Sequence, residues 1–271
     1  IYGGAGNDTI DGGAGFDYIY GGSSNPGELV GDDVIYGGIG SDFFDGQGGS
    51  DTYIMSLQGA DNSSLINVFD TGTDPADTDF LIINGTDFAD QFLLRASADL
   101  NGLAFVALLN RDGNVERLDY EGVEVLVVNG LAGDDRFAVD DVRAKATING
   151  GIGEDFFQIG QLYKSERTPE AANVDPQDVF ATIETTRGFL SNGISQPMDI
   201  ASGAGDDEFI VFHNKAVLTL YGGNGDDTFT VRAFALAGSQ DNLRDRTDIT
   251  GGSGADLIQY AVNAPVNIDG G

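Results

Sequence analysis

The chain of 271 residues contains no cysteine, no tryptophan and one histidine. The absence of cysteine excludes disulfides and thiolate metal sites, and one imidazole is a poor basis for a zinc or copper centre. Lysine and arginine are scarce, because the first of the 13 is Arg95, whereas residues 1–94 carry 16 acidic residues. The net charge of −31 repels nucleic acids and anionic membranes, and no apolar run is long enough for membrane insertion. We therefore expect cations as partners, with no nucleic acid and no membrane insertion.

Glycine and aromatic residues, in contrast, are abundant. The chain has 41 glycines, 17 phenylalanines and 9 tyrosines, and 41% of its residues are hydrophobic. Since a disordered acidic chain would be poor in apolar residues, this composition indicates a folded core. Helical periodicity is nearly absent, and only residues 168–180 favour a turn or two of helix. We therefore predict an all-β fold.

A nine-residue pattern, G-G-x-G-x-D-x-U-x with U a large apolar residue, runs through the chain. Five copies lie within residues 3–54, where one is interrupted by an insertion at 23–29, and five more follow at wider spacing. The sixth position is aspartate in all ten: Asp8, Asp17, Asp33, Asp42, Asp51, Asp135, Asp155, Asp207, Asp227 and Asp256. A degenerate eleventh copy keeps Asp90 and Phe92 but lacks most of the motif glycines, so we leave Asp90 out of the predicted ligand set.

This pattern predicts short strands joined by tight glycine turns. Glycine permits positive φ and close backbone approach, and side chains alternate along a strand, so that U faces the core. Two units make a coil of about 18 residues, which predicts a parallel β-roll or β-solenoid. In the second half, the wider spacing indicates coils in which one turn carries the motif aspartate and the other turn does not. Stacking places aspartates in register on two flanks, Asp8, Asp33 and Asp51 on one and Asp17 and Asp42 on the other.

The pattern divides the chain into three segments. These are tandem nonapeptides at 1–56, a strand-rich continuation at 57–128, and longer coils at 129–271 with an insertion at about 160–200. Asp112-Gly113 in the middle segment predicts a hairpin turn. Since the sequence begins and stops inside repeats, we expect a fragment of a longer array.

The stacked aspartates indicate a metal role. Carboxylates about 5 Å apart repel by about 1 kcal/mol per pair in water, and before Arg95 no basic side chain can neutralise them. Calcium takes 6 to 8 oxygen ligands in tolerant geometry, whereas magnesium demands a stricter octahedron. We predict several Ca²⁺ ions bound by the ten aspartates, although any single one could instead form an Asx turn. We expect the acids at position five to be solvated: Asp32, Asp134, Glu154, Asp206 and Asp226.

The nonapeptides resemble those of the repeats-in-toxin (RTX) family, strongly within residues 3–54 and recognisably within 129–159 and 201–271. The resemblance implies a calcium-binding parallel β-roll in a secreted, extracellular or cell-surface protein, usually exported by a type I system. We expect a calcium-dependent structural segment, such as a spacer, adhesin stalk or surface-layer element, that folds on calcium binding after export. Two alternatives stay open: the secretion and folding module of a toxin or hydrolase, or ligand binding through the loop at 160–200. Copies of the chain itself or cell-surface components are further candidate partners.

We do not expect an enzyme. No H-E-x-x-H helix, G-x-S-x-G elbow or phosphate loop occurs, and the acids form a regular series rather than a singular pair. His213 is expected to be structural. The basic group of Lys164, Arg167 and Arg187 either neutralises local acids or contacts a partner.

Overall fold

The computed structural model describes residues 1–23, 31–59, 62–98, 103–110, 113–171, 174, 179–232, 246–261 and 264–271. Within these ranges the chain is all-β, as predicted, and contains no helix. Of the predicted helical stretch, Thr168–Ala171 form a hydrogen-bonded turn (Ala171 N to Thr168 O, 3.0 Å), and residues 172, 173 and 175–178 lie outside the described part. Most of the insertion at 23–29 also lies outside it. The described residues offer no helix of the length and apolarity that crossing a bilayer requires.

Two large sheets contain most of the strands. Sheet 1 has the spatial order β1 (Thr9–Asp11), β4 (Val34–Tyr36), β7 (Thr52–Ser56), β9 (Phe80–Asn84), β13 (Val125–Ala132), β15 (Lys145–Ile152), β20 (Met198–Ala204), β22 (Leu218–Asn224), β24 (Thr247–Ser253) and β26 (Val266–Asp269). Sheet 2 has the order β25 (Leu257–Tyr260), β23 (Thr228–Val231), β21 (Glu208–Val211), β16 (Phe156–Ile159), β14 (Arg136–Val139), β10 (Gln91–Ala96), β11 (Ala104–Leu109), β12 (Val115–Glu121), β8 (Ser64–Phe69), β6 (Phe43–Asp45) and β3 (Tyr18–Tyr20).

Two smaller sheets complete the described strands. β2 (Ala14–Gly15) pairs in parallel with β5 (Ile39–Gly40). The other small sheet is antiparallel, in the order β17 (Leu162–Tyr163), β19 (Gly188–Ser191) and β18 (Thr182–Thr185).

Along the chain, the strands of the repeats alternate between sheet 1 and sheet 2. Every pairing in sheet 1 is parallel. Sheet 2 is parallel except where β11 lies between β10 and β12 and pairs antiparallel with both. β11 and β12 flank the predicted hairpin turn, in which Gly113 has a φ of +80° and Asp112 lies outside the described residues. Both sheets run through all three predicted segments, whose boundaries stay predictions.

The core takes residues from both sheets, and the position-eight side chains point into it as predicted. They are buried at Ile10, Ile19, Ile35, Phe44, Tyr53, Phe137, Phe157, Phe209 and Phe229, while Ile258 is partly buried against the same core. In sheet 2 the rings of consecutive coils stack, with centroids 4.9 Å apart between Phe92 and Phe137 and 4.6 Å apart between Phe209 and Phe229. The in-register pairing of like residues therefore builds a continuous aromatic column.

The described part of the insertion at 160–200 contains strands where the sequence predicts a loop. Its small antiparallel sheet packs on sheet 2, where the Tyr163 hydroxyl donates to Asp140 Oδ2 at 2.6 Å and Arg95 Nε lies 2.9 Å from the same oxygen. The hairpin between β18 and β19 closes where the Thr185 hydroxyl donates to the Gly188 carbonyl at 2.8 Å. The Arg167 guanidinium lies over the Tyr163 ring, 5.1 Å from its centroid. His213 is buried with Nδ1 3.2 Å from the Ser191 carbonyl oxygen, which agrees with a structural role.

A candidate metal centre in the glycine turns

Each of the ten predicted aspartates lies one residue before a strand. Asp8, Asp33 and Asp51 precede β1, β4 and β7 of sheet 1. The other seven precede strands of sheet 2, namely Asp17, Asp42, Asp135, Asp155, Asp207, Asp227 and Asp256. All ten carboxylates therefore lie at the amino-terminal edges of the two sheets.

Hydrogen bonds join the aspartates of consecutive turns. The backbone N–H of Asp8 donates to Asp33 Oδ1 at 2.8 Å, and that of Asp33 donates to Asp51 Oδ1 at 2.7 Å. On the other flank, Asp17 N–H donates to Asp42 Oδ1 at 2.9 Å. The same bond links Asp135, Asp155, Asp207, Asp227 and Asp256 in turn, at 2.9, 2.7, 2.9 and 3.1 Å. The predicted stacking of the aspartates is confirmed.

Three acidic residues outside the predicted set continue this arrangement. Asp51 N–H donates to Asp79 Oδ1 at 2.8 Å, and Asp79 N–H donates to Glu124 Oε2 at 2.8 Å. Asp90 heads the second series, donating its N–H to Asp135 Oδ1 at 2.8 Å. The sequence marks Asp79 only by the apolar Leu81 two residues later, as in the motif. The glycines that precede a motif aspartate are missing there. Asp90 differs from the motif aspartates because Thr86 donates to both of its carboxylate oxygens, at 2.7 and 3.1 Å.

The second carboxylate oxygen of the motif aspartates is buried without a hydrogen-bond partner. This holds for the Oδ2 atoms of Asp8, Asp17, Asp33, Asp42, Asp51, Asp135, Asp155, Asp207 and Asp227. Buried polar atoms in folded proteins nearly always have a partner, and leaving one unpaired is costly. Nine unpaired anionic oxygens at equivalent positions therefore fit a positively charged ligand between the turns.

The motif glycines provide the space beside these oxygens. A Cβ built on Gly150, the first glycine of its copy, would collide with Asp155 Oδ2 and would lie 2.6 Å from the carbonyl oxygen of Ser202 in the next coil. A carboxylate oxygen and a carbonyl oxygen thus border the same space. The second and third glycines of this copy, Gly151 and Gly153, have φ values of +116° and +146°, which disfavour residues with a side chain.

Burial raises the pKa values of these carboxyl groups. Desolvation, with a smaller contribution from neighbouring carboxylates, raises the pKa of Asp51 to about 8 and that of Asp135 to about 7. It raises the pKa values of Asp155 and Asp227 to about 6. Desolvation also raises the pKa values of Asp33, Asp42 and Asp207. The anionic form is therefore disfavoured without a cation, and a divalent ion would offset that cost.

The acids at position five form a second, outer series that sequence reasoning missed. Asp32, Asp134, Asp206 and Asp226 are exposed, as expected, but each accepts a backbone N–H from an adjacent coil. Ser50 N–H donates to Asp32 Oδ1 at 2.9 Å, and Glu154 N–H donates to Asp134 Oδ1 at 3.0 Å. These side chains therefore join coils as well as adding negative charge.

Comparison with protein families finds matches to the family described as RTX calcium-binding nonapeptide repeat (4 copies) at residues 1–25, 30–53 and 219–233. These three ranges carry RTX repeats. The matched ranges contain Asp8, Asp17, Asp33, Asp42, Asp51 and Asp227, and the remaining predicted aspartates lie in the same hydrogen-bonded series. Repeats of this family bind calcium, and proteins that contain them are typically secreted. No curated protein matches the chain.

Proposed function

We propose that this chain is a calcium-stiffened structural segment of a large extracellular protein, built as a parallel β-roll or β-solenoid. Its role is that of a spacer, adhesin stalk or surface-layer element, and it is not catalytic. The observation that carries this proposal is the regular series of motif aspartates. In eight of them Oδ1 accepts a backbone N–H from the preceding coil, and in nine of them Oδ2 is buried and unpaired.

Calcium would be held between consecutive turns by the position-six aspartates. In the turns around Asp155 and Asp227, Oδ2 and a carbonyl oxygen of the next coil border the same space beside the first glycine. Oxygen ligands of this kind suit a hard ion with flexible geometry, which favours Ca²⁺ over Mg²⁺. The bound ion would supply the positive charge that the first 94 residues lack among their side chains.

This arrangement couples metal binding to folding. Without a cation, folding must either bury anionic oxygens or protonate them, and both oppose the compact state near neutral pH. Calcium binds the folded turns and therefore stabilises them by mass action. A chain that remains expanded where calcium is scarce and folds where it is abundant fits export followed by folding outside the cell.

A calcium titration of the chelated chain, followed by circular dichroism, tests the proposal. We expect β-structure to increase with calcium and to decrease again when a chelator is added. Magnesium at equal ionic strength is the control for general charge screening, and it should produce a much smaller change. Full β-structure after exhaustive chelation at neutral pH would contradict the proposal.

A further inference from the structure

Three buried carboxylates converge where the tandem repeats end. Asp51, Asp70 and Asp79 each offer an oxygen, and these three oxygens lie within 4.8 Å of one another. Their residues are 0%, 8% and 4% exposed. Asp51 and Asp79 precede β7 and β9 of sheet 1, whereas Asp70 follows β8 of sheet 2. The cluster therefore connects the two sheets.

Asp70 occupies a position at which the repeat has glycine. It lies two residues after the buried Val68, as the first glycine of a motif lies two residues after the preceding core residue. In the turns that begin at Gly46, Gly130 and Gly150, this position borders the unpaired Oδ2 of a motif aspartate. Asp70 therefore adds a third carboxylate beside those of Asp51 and Asp79.

The unpaired oxygen of Asp51 points toward this cluster. Asp51 Oδ1 accepts the N–H of Asp33 at 2.7 Å, whereas its Oδ2 is buried and accepts no hydrogen bond. A Cβ built on Gly46 would collide with that Oδ2 and would lie 2.7 Å from the Tyr53 hydroxyl oxygen. The same hydroxyl donates to Asp70 Oδ2 at 2.6 Å. Asp51 Oδ2 and Asp70 thus face one shared space.

Backbone contacts hold the other two carboxylates in place. Asp70 Oδ1 accepts the N–H of Gly72 at 2.7 Å, and Asp79 Oδ1 accepts the N–H of Asp51 at 2.8 Å. The further charged groups that act on the cluster are all acidic, namely Asp33, Asp45 and Glu124. The site is therefore fixed in position, rich in oxygen and strongly anionic.

We propose that Asp51, Asp70 and Asp79 bind a hard divalent cation, Ca²⁺ by their chemistry, at a site where the last tandem glycine turn meets the connection that follows β8. An ion here fastens β8 of sheet 2 to β7 and β9 of sheet 1. Because affinity for Ca²⁺ rises with the number of charged ligands, this site fills before the regular turns. The inference rests on the proposed function in one respect, since Asp51 would serve both this ion and an ion in the repeat.

The variant D70N tests the site in the full chain, because asparagine keeps an oxygen for Gly72 N–H and removes the charge. E121Q is the matched control, since Glu121 is exposed and contacts Asp70 through its backbone carbonyl (Asp70 N to Glu121 O, 3.0 Å). Bound calcium is measured by equilibrium dialysis at increasing free Ca²⁺. We expect D70N to lose the tightest calcium equivalent, or to bind it at least tenfold more weakly, and E121Q to retain it. An unchanged tightest equivalent in D70N would overturn the inference.

Anomalous diffraction from crystals of the unmodified chain grown with calcium decides the matter even if D70N does not fold. We expect a peak about 2.3–2.6 Å from one oxygen of each of Asp51, Asp70 and Asp79. Peaks in the other glycine turns without one here would overturn this inference and leave the proposed function intact. Absence of peaks from both places would overturn both.

Discussion

The backbone N–H of Asp135 donates to Oδ1 of Asp155 at 2.9 Å, while Oδ2 of Asp155 is buried and accepts no hydrogen bond. One side chain thus has two separable tasks. Its first oxygen joins neighbouring coils whether or not metal is bound, and its second oxygen favours folding only when a cation is present. Substitutions that preserve one oxygen and change the other should separate these contributions.

We expect D155N to stabilise the metal-free chain and to weaken its response to calcium. Asparagine keeps Oδ1 as an acceptor for Asp135, removes a buried charge, and places an amide group near the Ser202 carbonyl oxygen. Loss of one site occupied at about 100 times its Kd would remove about 2.7 kcal/mol of calcium-dependent stability. Thermal unfolding with chelator and with excess calcium measures both effects.

The neighbouring variant E154Q is the control for D155N. Glu154 is exposed at position five, so its substitution removes the same formal charge one residue away from the buried site. We expect E154Q to retain most of the calcium-induced rise in Tm. Equal losses in both variants would show that total charge, rather than the buried oxygen, determines the response.

Adding one methyl group at the first glycine of a motif should disrupt a turn. A Cβ at position 150 would collide with Asp155 Oδ2 and crowd the Ser202 carbonyl. We expect G150A to lower the free energy of unfolding in calcium by about 1–3 kcal/mol, as is usual for overpacking. Chemical denaturation in excess calcium measures this change. G270A is the control, because a Cβ there meets no atom within 4 Å and should leave stability nearly unchanged. A tolerated G150A would refute the steric role assigned to the first glycine.

The sequence predicted those parts of the fold in which the glycine pattern is strict. At Gly150 a Cβ would collide with Asp155 Oδ2, and steric constraints of this kind make the glycine pattern visible in the sequence. The connection from Asp70 to Asp79 is longer and escapes this constraint. Its carboxylates therefore carry no motif, although they continue the series and converge with Asp51.

The small sheet at 160–200 escaped prediction for a different reason. Its strands are two to four residues long, which is too short for alternation to show in the sequence. Its order comes from contacts with residues far along the chain, such as Tyr163 with Asp140. Local pattern carries little information about such contacts.

In the chelated chain, protonation of the buried carboxyl groups at low pH should provide part of the stability that calcium otherwise provides. Burial raises the pKa of Asp51 to about 8 and of Asp135 to about 7, from an ordinary value of 3.8, so the folded state binds more protons than the unfolded state between these limits. The free energy of unfolding must then fall as the pH rises from about 4 to about 8, and it changes little through these groups outside that window. We expect more β-structure at pH 5.5 than at pH 8.5 in chelator, measured by circular dichroism. Greater metal-free stability at the higher pH would contradict this expectation.

The aromatic column should provide stability that does not depend on charge. The Phe157 ring is fully buried between Phe137 and Phe209, with centroid separations of 5.0 and 4.9 Å. Its removal leaves a cavity in one coil and two neighbours without a stacking partner, so F157A should cost about 3–5 kcal/mol. F16A is the control, because Phe16 is 82% exposed and should contribute little. Denaturant unfolding in excess calcium measures the difference. A cost for F157A close to that of F16A would mean that coil-to-coil hydrogen bonds and metal, rather than the stacked rings, hold neighbouring coils together.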